Sequence, residues 1–574
     1  MRNAWVGLFV RPSTFVTACA VAASLALTAC QKEPAASTSA PAAAAKEGAT
    51  KQGQALFSGL GKIHFAITTQ SPDAQKYFNQ GLALAWAFNH GASDRAFTEA
   101  AARDPNCALC YWGSALVLGP NINAPMEAAN VARAQNLAAH ADRLAAKASA
   151  KEQALTAALV KRYGAEGASG DRAALDNAYA DAMRAVATQY PDDANVLTLA
   201  AESLMDLHPW AFWLADGTAQ PWTPEVVAAI EKALAVDADH IGAIHLYLHA
   251  VEQSQDANRA AKYADRLADL APTAGHLVHM PAHIYIRVGR YHDSTLNNMK
   301  ATESDKSFLA ACGNSLDVYK VGYVPHNWHF GWITAAIEGW SAKAIELAKG
   351  TSALIPADMM RVPALKLTQH YYMQPAFAYV RFGRWDDVLA TPEPDRDLIY
   401  ARAIWHYASG EAELAKGHVD AARAHLDALT KLKDDPEMAG IVFFGVNNAT
   451  AVLAVAQAFL SADVLRKSGD VKGAVDGFET ALDRESELRY QEPPDWFYPV
   501  RHALGEAQLA SGDAAGAERT YRDDLAIYPE NGWSLWGLAA ALKAQGKSEE
   551  ASATEARFKT AWSHADVQLT ATRL

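Results

Sequence analysis

A pattern of small residues, aromatic residues and prolines recurs about every 34 residues, and it constrains the fold more than any other feature of the chain. Proline ends a helix because it lacks a backbone N–H and its ring clashes with the preceding turn. Small residues ahead of each proline leave room for two helices to pack closely. The pattern therefore predicts one helical hairpin per copy. It is clearest in the segments that begin at Ala74 (Tyr77, Gly81, Leu84, Phe97, Pro105), Ile241 (Tyr247, Leu248, Ala260, Pro272), Pro325 (Trp328, Ala344, Pro356) and Tyr498 (Leu504, Gly505, Ala517, Tyr521, Pro529).

These positions resemble those of the tetratricopeptide repeat (TPR), in which small residues at positions 8 and 20 let two helices cross. The resemblance implies an all-α fold, a TPR-like right-handed superhelix (α-solenoid) of helical hairpins. Positions 2, 5, 9, 12 and 13 of each first helix would face a concave groove, since residues three and four apart share a helical face. On this basis the chain divides into an N-terminal TPR-like region (53–240), a central histidine-rich region (241–395) and C-terminal hairpins (396–574).

The first 29 residues are predicted to be a signal peptide. An apolar run ends in Leu27-Thr28-Ala29-Cys30, which resembles the lipobox of bacterial lipoproteins. By that resemblance Cys30 is acylated, and the Ala-, Pro- and Ser-rich residues 30–52 form a disordered tether. This implies a cell-envelope protein with a lipid anchor at Cys30, held in the outer membrane and facing the periplasm. The alternative is an ordinary secretory signal cleaved near Ala29.

The net charge of the chain argues against two classes of partner. The formal net charge is −13, and removal of Arg2 and Arg11 with the signal makes it −15. Nucleic-acid binding needs clustered lysine and arginine. The composition therefore argues against a nucleic-acid partner and against a body that lies on anionic lipid.

Histidines are concentrated in the central hairpins. The chain has 19 histidines, and nine of them lie between His240 and His329. The repeat register, which was fixed by other residues, assigns most of these to groove-facing positions. The residues so placed are His245, His249 and Glu252 in the repeat from Ile241, His276, His279 and His283 in the next, and His326 and His329 in the repeat from Pro325.

This arrangement is typical of a metal site. Two histidines four residues apart on one helix present two ring nitrogens to Zn²⁺ or another borderline metal. His245, His249 and Glu252 form a set of two imidazoles and one carboxylate, which suits zinc or non-haem iron. Met373, at a groove position of a later hairpin, would favour copper because a thioether is a soft ligand. Glu252 is also the candidate acid or base.

Two other interpretations stand beside the metal site. The groove of a TPR protein commonly binds a peptide or protein, and this groove would also suit a small anionic ligand held by arginine. The residues that would line such a site are Tyr247, Arg287, Trp328, Trp332, His370, Tyr371 and Arg381. The remaining interpretation is that the histidines are hydrogen-bonded packing residues.

A Cys-x-x-Cys pair opens the second repeat. Cys107 and Cys110 take groove positions near a helix N-terminus, where a thiolate is stabilised. The pair therefore fits a redox-active dithiol or two metal ligands. A short structural disulfide is the alternative.

Three longer strings, residues 71–90, 104–126 and 276–294, are similar to a large group of bacterial TPR-repeat proteins. TPR proteins mediate protein–protein contacts, and we associate no reaction with the group. Residues 206–224 and 491–499 are rich in tryptophan and proline. They are predicted either to cover the groove as lids or to pack locally on the superhelix.

Overall fold

The structure is a computed structural model that describes residues 55–164, 170–312 and 318–574. The predicted signal peptide, the predicted acylation site Cys30 and the predicted tether all lie outside the described residues. The described chain is almost wholly helical, and consecutive helices pack as antiparallel hairpins. The prediction of an all-α solenoid of TPR-type hairpins is confirmed.

The helices follow one another with short connections. Those of the N-terminal part are α1 (Pro72–Trp86), α2 (His90–Arg103), α3 (Ala108–Val117), α4 (Val131–Ala145), α5 (Ala150–Tyr163), α6 (Arg172–Gln189), α7 (Ala194–Met205) and α8 (Thr223–Val236). Those of the central part are α9 (Ile241–Val251), α10 (Ala261–Leu270), α11 (Gly275–His279), α12 (Pro281–Arg287), α13 (Tyr291–Cys312), α14 (Val324–Ile337), α15 (Ser341–Ala353), α16 (Thr368–Tyr372), α17 (Gln374–Arg381) and α18 (Trp385–Ala390).

The C-terminal part contains one small antiparallel strand pair, β1 (Val442–Phe443) with β2 (Asn447–Asn448). Its helices are α19 (Ile399–Ala415), α20 (Val419–Lys433), α21 (Ala449–Lys467), α22 (Val471–Ser486), α23 (Arg501–Ser511), α24 (Ala514–Ile527), α25 (Gly532–Ala544) and α26 (Ser548–Ala561). By length and composition α21 could cross a membrane, but more than half of its apolar window is buried against other helices here.

Glycines at the predicted crossing positions are required by the packing. A side chain on Gly81 of α1 would place its Cβ 2.7 Å from the Phe97 ring of α2, and a side chain on Gly113 of α3 would collide with the other face of that ring. Gly505 and Gly537 enclose the Tyr521 ring in the same way near the C-terminus. The same interlock at both ends of the chain is the physical basis of the repeat register.

We expect Gly81→Ala to destabilise the N-terminal hairpins by about 1–3 kcal/mol, because a methyl group has no room beside Phe97. Native-state hydrogen exchange should show faster exchange of the amides of α1–α3. The control is Gly440→Ala, since nothing lies within 4 Å of a Cβ built there. Equal exchange in both variants would contradict this account of the crossing.

Proline divides two of the groove-lining helices. α11 ends at His279 and α12 begins at Pro281, and Met280 between them keeps right-handed helical dihedral angles (φ −51°, ψ −37°). α16 ends at Tyr372 and α17 begins at Gln374, just ahead of Pro375.

Distant turns of the solenoid touch across its concave side. The Trp86 ring of α1 packs on Gly242 of α9. Farther along, the Tyr291 hydroxyl donates to the Pro529 carbonyl at 2.8 Å, and Trp533 Nε1 donates to the Ala336 carbonyl at 2.9 Å. Because of these contacts the concave side of the central hairpins is filled by protein, and the open groove expected there is closed.

Candidate metal centre

Six histidines from four helices converge inside the closed solenoid. His245, His249, His276, His279 and His283 are at most 3% exposed, and His326 is partly exposed. They come from α9, α11, α12 and the first turn of α14. The prediction that groove positions of neighbouring hairpins bring these rings together is met by the geometry.

The six rings form two sets of three whose ligand atoms all lie within 4.8 Å of one another. Triad A is His245, His249 and His276, and triad B is His279, His283 and His326. In triad A the Nε2 atoms of His245 and His276 are 3.1 Å apart. In triad B, His279 Nε2 lies 2.9 Å from His283 Nε2 and 3.1 Å from His326 Nε2. A tetrahedral ion with nitrogen ligands at about 2.0–2.1 Å separates those nitrogens by about 3.3 Å, so both triads are close to the spacing that a metal requires.

The tautomers of two histidines in triad B are fixed by their outer partners. Asn298 donates its amide N–H to the Ser294 carbonyl, so its oxygen faces His279 and accepts from His279 Nδ1 at 2.6 Å. His283 Nδ1 donates to a Glu252 oxygen at 2.6 Å. In their neutral forms both rings carry their hydrogen on Nδ1, and their Nε2 lone pairs face each other. That contact is repulsive unless a cation lies between the two nitrogens.

Triad A is oriented by a comparable outer shell. His245 Nδ1 donates to the Trp86 carbonyl at 2.6 Å, and His249 Nδ1 donates to Glu252 at 2.9 Å. His249 Nε2 is buried without a hydrogen-bond partner, as is His276 Nδ1. Metal-bound histidines usually donate their second N–H to a carboxylate or carbonyl in this way.

Glu252 connects the two triads. Its Oε1 accepts from His249 of triad A and its Oε2 accepts from His283 of triad B. Tyr490, from the loop after α22, donates its hydroxyl to the same Oε2 at 3.3 Å. The geometry therefore places Glu252 between the triads, where it orients a histidine of each and also forms a third candidate ligand set with His249 and His283, whose ligand atoms lie within 4.8 Å of one another.

Electrostatics favour the charged form of Glu252 and the neutral form of five of the imidazoles, His245, His249, His276, His279 and His326. Burial lowers the pKa of His245, His276 and His279 well below the ordinary value, and neighbouring histidines lower it further. Burial alone would raise the pKa of the Glu252 carboxyl, but His283 and His249 outweigh it and leave that pKa below its usual range. Neutral imidazoles have free lone pairs, which is the form that binds metal.

Aromatic rings enclose the histidines. The Phe88 ring lies 4.3 Å from His245 and the Phe330 ring 4.9 Å from His283, between centroids. Trp210, in the aromatic loop after α7, lies 5.0 Å from His249 and donates through Nε1 to Asn123 at 3.0 Å. Asn123 in turn donates to the Tyr323 hydroxyl at 2.7 Å. This loop thus lies over the histidines, as the lid interpretation expects.

Backbone strain accompanies two of these rings. Phe88 has φ 53° and Trp210 has φ 58°, in the left-handed region that residues other than glycine rarely adopt. Such conformations persist where the surrounding structure imposes them, and they cluster at functional sites.

The other predicted metal ligands lie elsewhere. His329 belongs to neither triad, and its ring lies 5.5 Å from that of His370 and 5.6 Å from that of Tyr371. His370 shares a hydrogen bond of 2.8 Å with the Tyr400 hydroxyl. Met373 is buried in the apolar core of the second half of the chain.

The residues predicted to hold an organic ligand are dispersed. Tyr247 donates to Glu231 between helices, and Trp332 donates to Gln374. Trp328 lies beneath Lys306, and Arg381 stacks on Trp533 at 3.6 Å. Only Arg287 comes near the triads, through Tyr490, whose ring centroid is 5.9 Å away.

Cys107 and Cys110 are joined by a disulfide bond at the start of α3. Both residues are fully buried, and the pair is a short covalent link across one turn. In this form neither sulfur is a thiolate available to a metal.

The outer shell was not identified from the sequence. Trp86, Phe88 and Tyr490 lie far from the central histidines along the chain, and Asn298 lies on α13, outside the helices whose groove positions carry the histidines. The aromatic loops that contain Trp210 and neighbour Tyr490 were the one sequence signal that pointed to this shell.

No known protein-family model matches this chain, and no curated protein sequence matches it. Similar solved structures include the human IFIT1 dimer with m7Gppp-AAAA, which is 13% identical, covers 86% of this chain and 91% of its own, and has a TM-score of 0.30. Yeast Tom70 is 12% identical over 84% of this chain and 90% of its own, with a TM-score of 0.26. The APC/C hetero-tetramer Cut9–Hcn1 is 14% identical over 83% and 78%, with a TM-score of 0.27. At these scores the similarity does not extend to function.

Proposed function

We propose that this protein binds a transition-metal ion in the histidine cluster at its closed concave centre. The observation that carries the proposal is the contact between His279 Nε2 and His283 Nε2 at 2.9 Å, with both Nδ1 atoms already engaged by Asn298 and Glu252. Two buried lone pairs that face each other need a proton or a metal ion between them, and a metal ion also accounts for the third nitrogen, His326 Nε2, which lies 3.1 Å from His279 Nε2. Facing nitrogens in triad A support the same function.

The ligand set narrows the choice of metal. Three imidazoles per triad suit zinc, copper or iron, and the cluster presents no thiolate among its groups. Three protein ligands leave a fourth coordination position open on a bound ion. The ion would act there as a Lewis acid or bind a small molecule. The residues of this chain would hold the ion, orient its ligands through Glu252, Asn298 and the Trp86 carbonyl, and exclude bulk water with Phe88 and Phe330.

Burial disfavours a peptide site at the same place. A peptide in the central groove would have to contact the six histidines of the triads, and five of these are at most 3% exposed.

Partner binding is better supported on the C-terminal hairpins. There a cavity of about 750 Å³ opens between α20, α21 and α22, with a floor that includes Ala451, Ala454 and Ser461. Filling it through Ala454→Trp should abolish the capture of a partner by this region, and unchanged capture would reject it.

We also propose that the chain is lipid-anchored in the cell envelope. The support is the motif Leu27-Thr28-Ala29-Cys30 and the Ala- and Pro-rich stretch after it. Metabolic labelling with palmitate should modify the natural chain and fail in Cys30→Ser. Labelling that persists in that variant would remove the proposal.

Elemental analysis tests the metal proposal directly. The full-length chain, purified in detergent without chelator or histidine tag, should carry at least one zinc, copper or iron ion. The double variant His249→Ala/His283→Ala should lose it while its circular dichroism stays helical. The matched control is His329→Ala/His370→Ala, which removes two buried imidazoles outside the triads. An absence of metal after exposure to all three ions would overturn the proposal.

A further inference from the structure

We propose that triads A and B together form a binuclear centre, in which two metal ions share Glu252 as an outer carboxylate and a small anion bridges them. This inference rests on the proposed metal-binding function and deepens it. It concerns the number of ions, their proximity and the class of ligand that they take. None of these follows from the presence of metal alone.

The first argument is spacing, because the two triads are not separated by a gap. Within the triads, ring centroids are 4.8 Å apart for His245 and His276 and 4.8 Å for His279 and His283. Between the triads, the separations are 5.3 Å for His249 and His283 and 5.7 Å for His276 and His279. The separations between the triads fall within the range found inside them, where the His249 and His276 centroids are 6.3 Å apart, so the six rings form one continuous cluster. Two-metal sites in proteins place their ions about 3.5–4 Å apart.

The second argument is the shared carboxylate. Each Glu252 oxygen accepts from one histidine of each triad, at 2.9 Å and 2.6 Å. Since the two oxygens belong to one rigid planar group, a shift of either histidine is transmitted to the other triad. A mononuclear site would need only one of these hydrogen bonds. The pair is explained when both triads hold an ion and must keep a fixed separation.

The third argument is charge. Six neutral imidazoles contribute no negative charge, so two adjacent dications would be opposed chiefly by Glu252. An anion that bridges the ions relieves their mutual repulsion. The enclosure by Phe88, Trp210 and Phe330 limits that anion to a few atoms. Hydroxide, reduced dioxygen and other small oxyanions belong to this class. The partly exposed edge at His326 is where such a ligand would enter.

Copper titration of the full-length chain, followed by electron paramagnetic resonance, distinguishes one ion from two. We expect two Cu²⁺ per chain and magnetic coupling between them, seen as a dipolar-coupled spectrum with a half-field transition or, where a bridging anion pairs the two spins, as a signal far weaker than the copper content. His245→Ala and His326→Ala each remove one ligand from one triad and leave the Glu252 contacts intact. Each variant should bind one Cu²⁺ and give an ordinary one-spin spectrum. The control His370→Ala should behave as the natural chain.

The bridging ligand is tested with azide as the probe. The two-copper form should bind azide at least about tenfold more tightly than either one-copper variant, because a bridging anion contacts both ions. Equal azide affinities would reject the bridge. One copper in total, or two copper ions with uncoupled spectra, would overturn the binuclear centre and leave metal binding intact. No bound metal of any kind would overturn both proposals.

Discussion

Replacing Glu252 by glutamine should weaken metal binding by about 10- to 100-fold at the triad whose histidine loses its acceptor, the usual cost of losing an outer-shell partner of a ligating histidine. The carboxylate accepts one N–H from His249 and one from His283. Glutamine has nearly the same shape, but one of its two polar atoms becomes an N–H donor. One histidine therefore keeps its acceptor, and the other faces a donor and must change tautomer or rotate.

The matched control is Glu338→Gln. Glu338 is 3% exposed and accepts from His292 Nδ1 at 2.9 Å. This variant therefore disturbs a hydrogen bond between a buried glutamate and a histidine that belongs to neither triad. Competition with a chromophoric chelator gives both affinities. We expect a loss for Glu252→Gln and no loss for Glu338→Gln. Equal affinities in the two variants would mean that Glu252 does not orient the ligands.

The repeat register predicted the meeting of six of the seven histidines that it placed on the groove face. The period fixes which helix faces point inward, and residues three or four apart then lie on the same face. His245 and His249 on α9 and His279 on α11 came from this rule alone. His329 has the same repeat position as His245 but contacts His370 instead. α14 follows an interrupted stretch after α13, so only its first turn, with His326, reaches the cluster.

The closure of the solenoid could not be read from the same pattern. It depends on contacts between residues that are far apart in the chain. The Trp86–His245 hydrogen bond spans 159 residues and the Tyr490–Glu252 hydrogen bond spans 238. Contacts of this range decide whether the histidines line an open groove or a buried cage. Local periodicity contains no information about them.

A second set of long-range contacts, which the repeat pattern also does not predict, joins the C-terminal hairpins. Arg573, next to the end of the chain, is inserted between α19 and α21. Its guanidinium forms an ion pair with Asp463 and a second with Glu411 at 3.0 Å, and both carboxylates are at most 1% exposed at their side chains. Arg466 pairs with the remaining oxygen of Asp463 at 2.7 Å. The two buried acids are therefore held together by cations from elsewhere in the sequence.

We expect Arg573→Leu to destabilise the C-terminal hairpins by about 3–5 kcal/mol, since removal of one partner leaves uncompensated buried charge. Hydrogen exchange of the α19 and α21 amides gives this free energy. The control is Arg557→Leu, which breaks an exposed pair with Glu530 and should cost less than about 1 kcal/mol. A comparable, small effect in both variants would show that Arg573 is not what stabilises the acids.

The loss of stability in Arg573→Leu should depend on pH. The buried carboxyl groups determine whether this loss grows or shrinks as the pH rises. Burial, and then Asp463, already raise the pKa of Glu411 well above its ordinary value. A group whose pKa is higher in the folded state binds its proton more tightly there, so stability falls as pH rises above the unfolded pKa of about 4.3. Without Arg573 the pKa of Glu411 rises further, and the pKa of Asp463, which burial raises but Arg573 and Arg466 hold below its ordinary value, rises as well. The variant should therefore be closest to the natural chain near pH 5 and farthest from it near pH 8, and a defect that grows toward pH 5 would contradict a role for buried carboxylates.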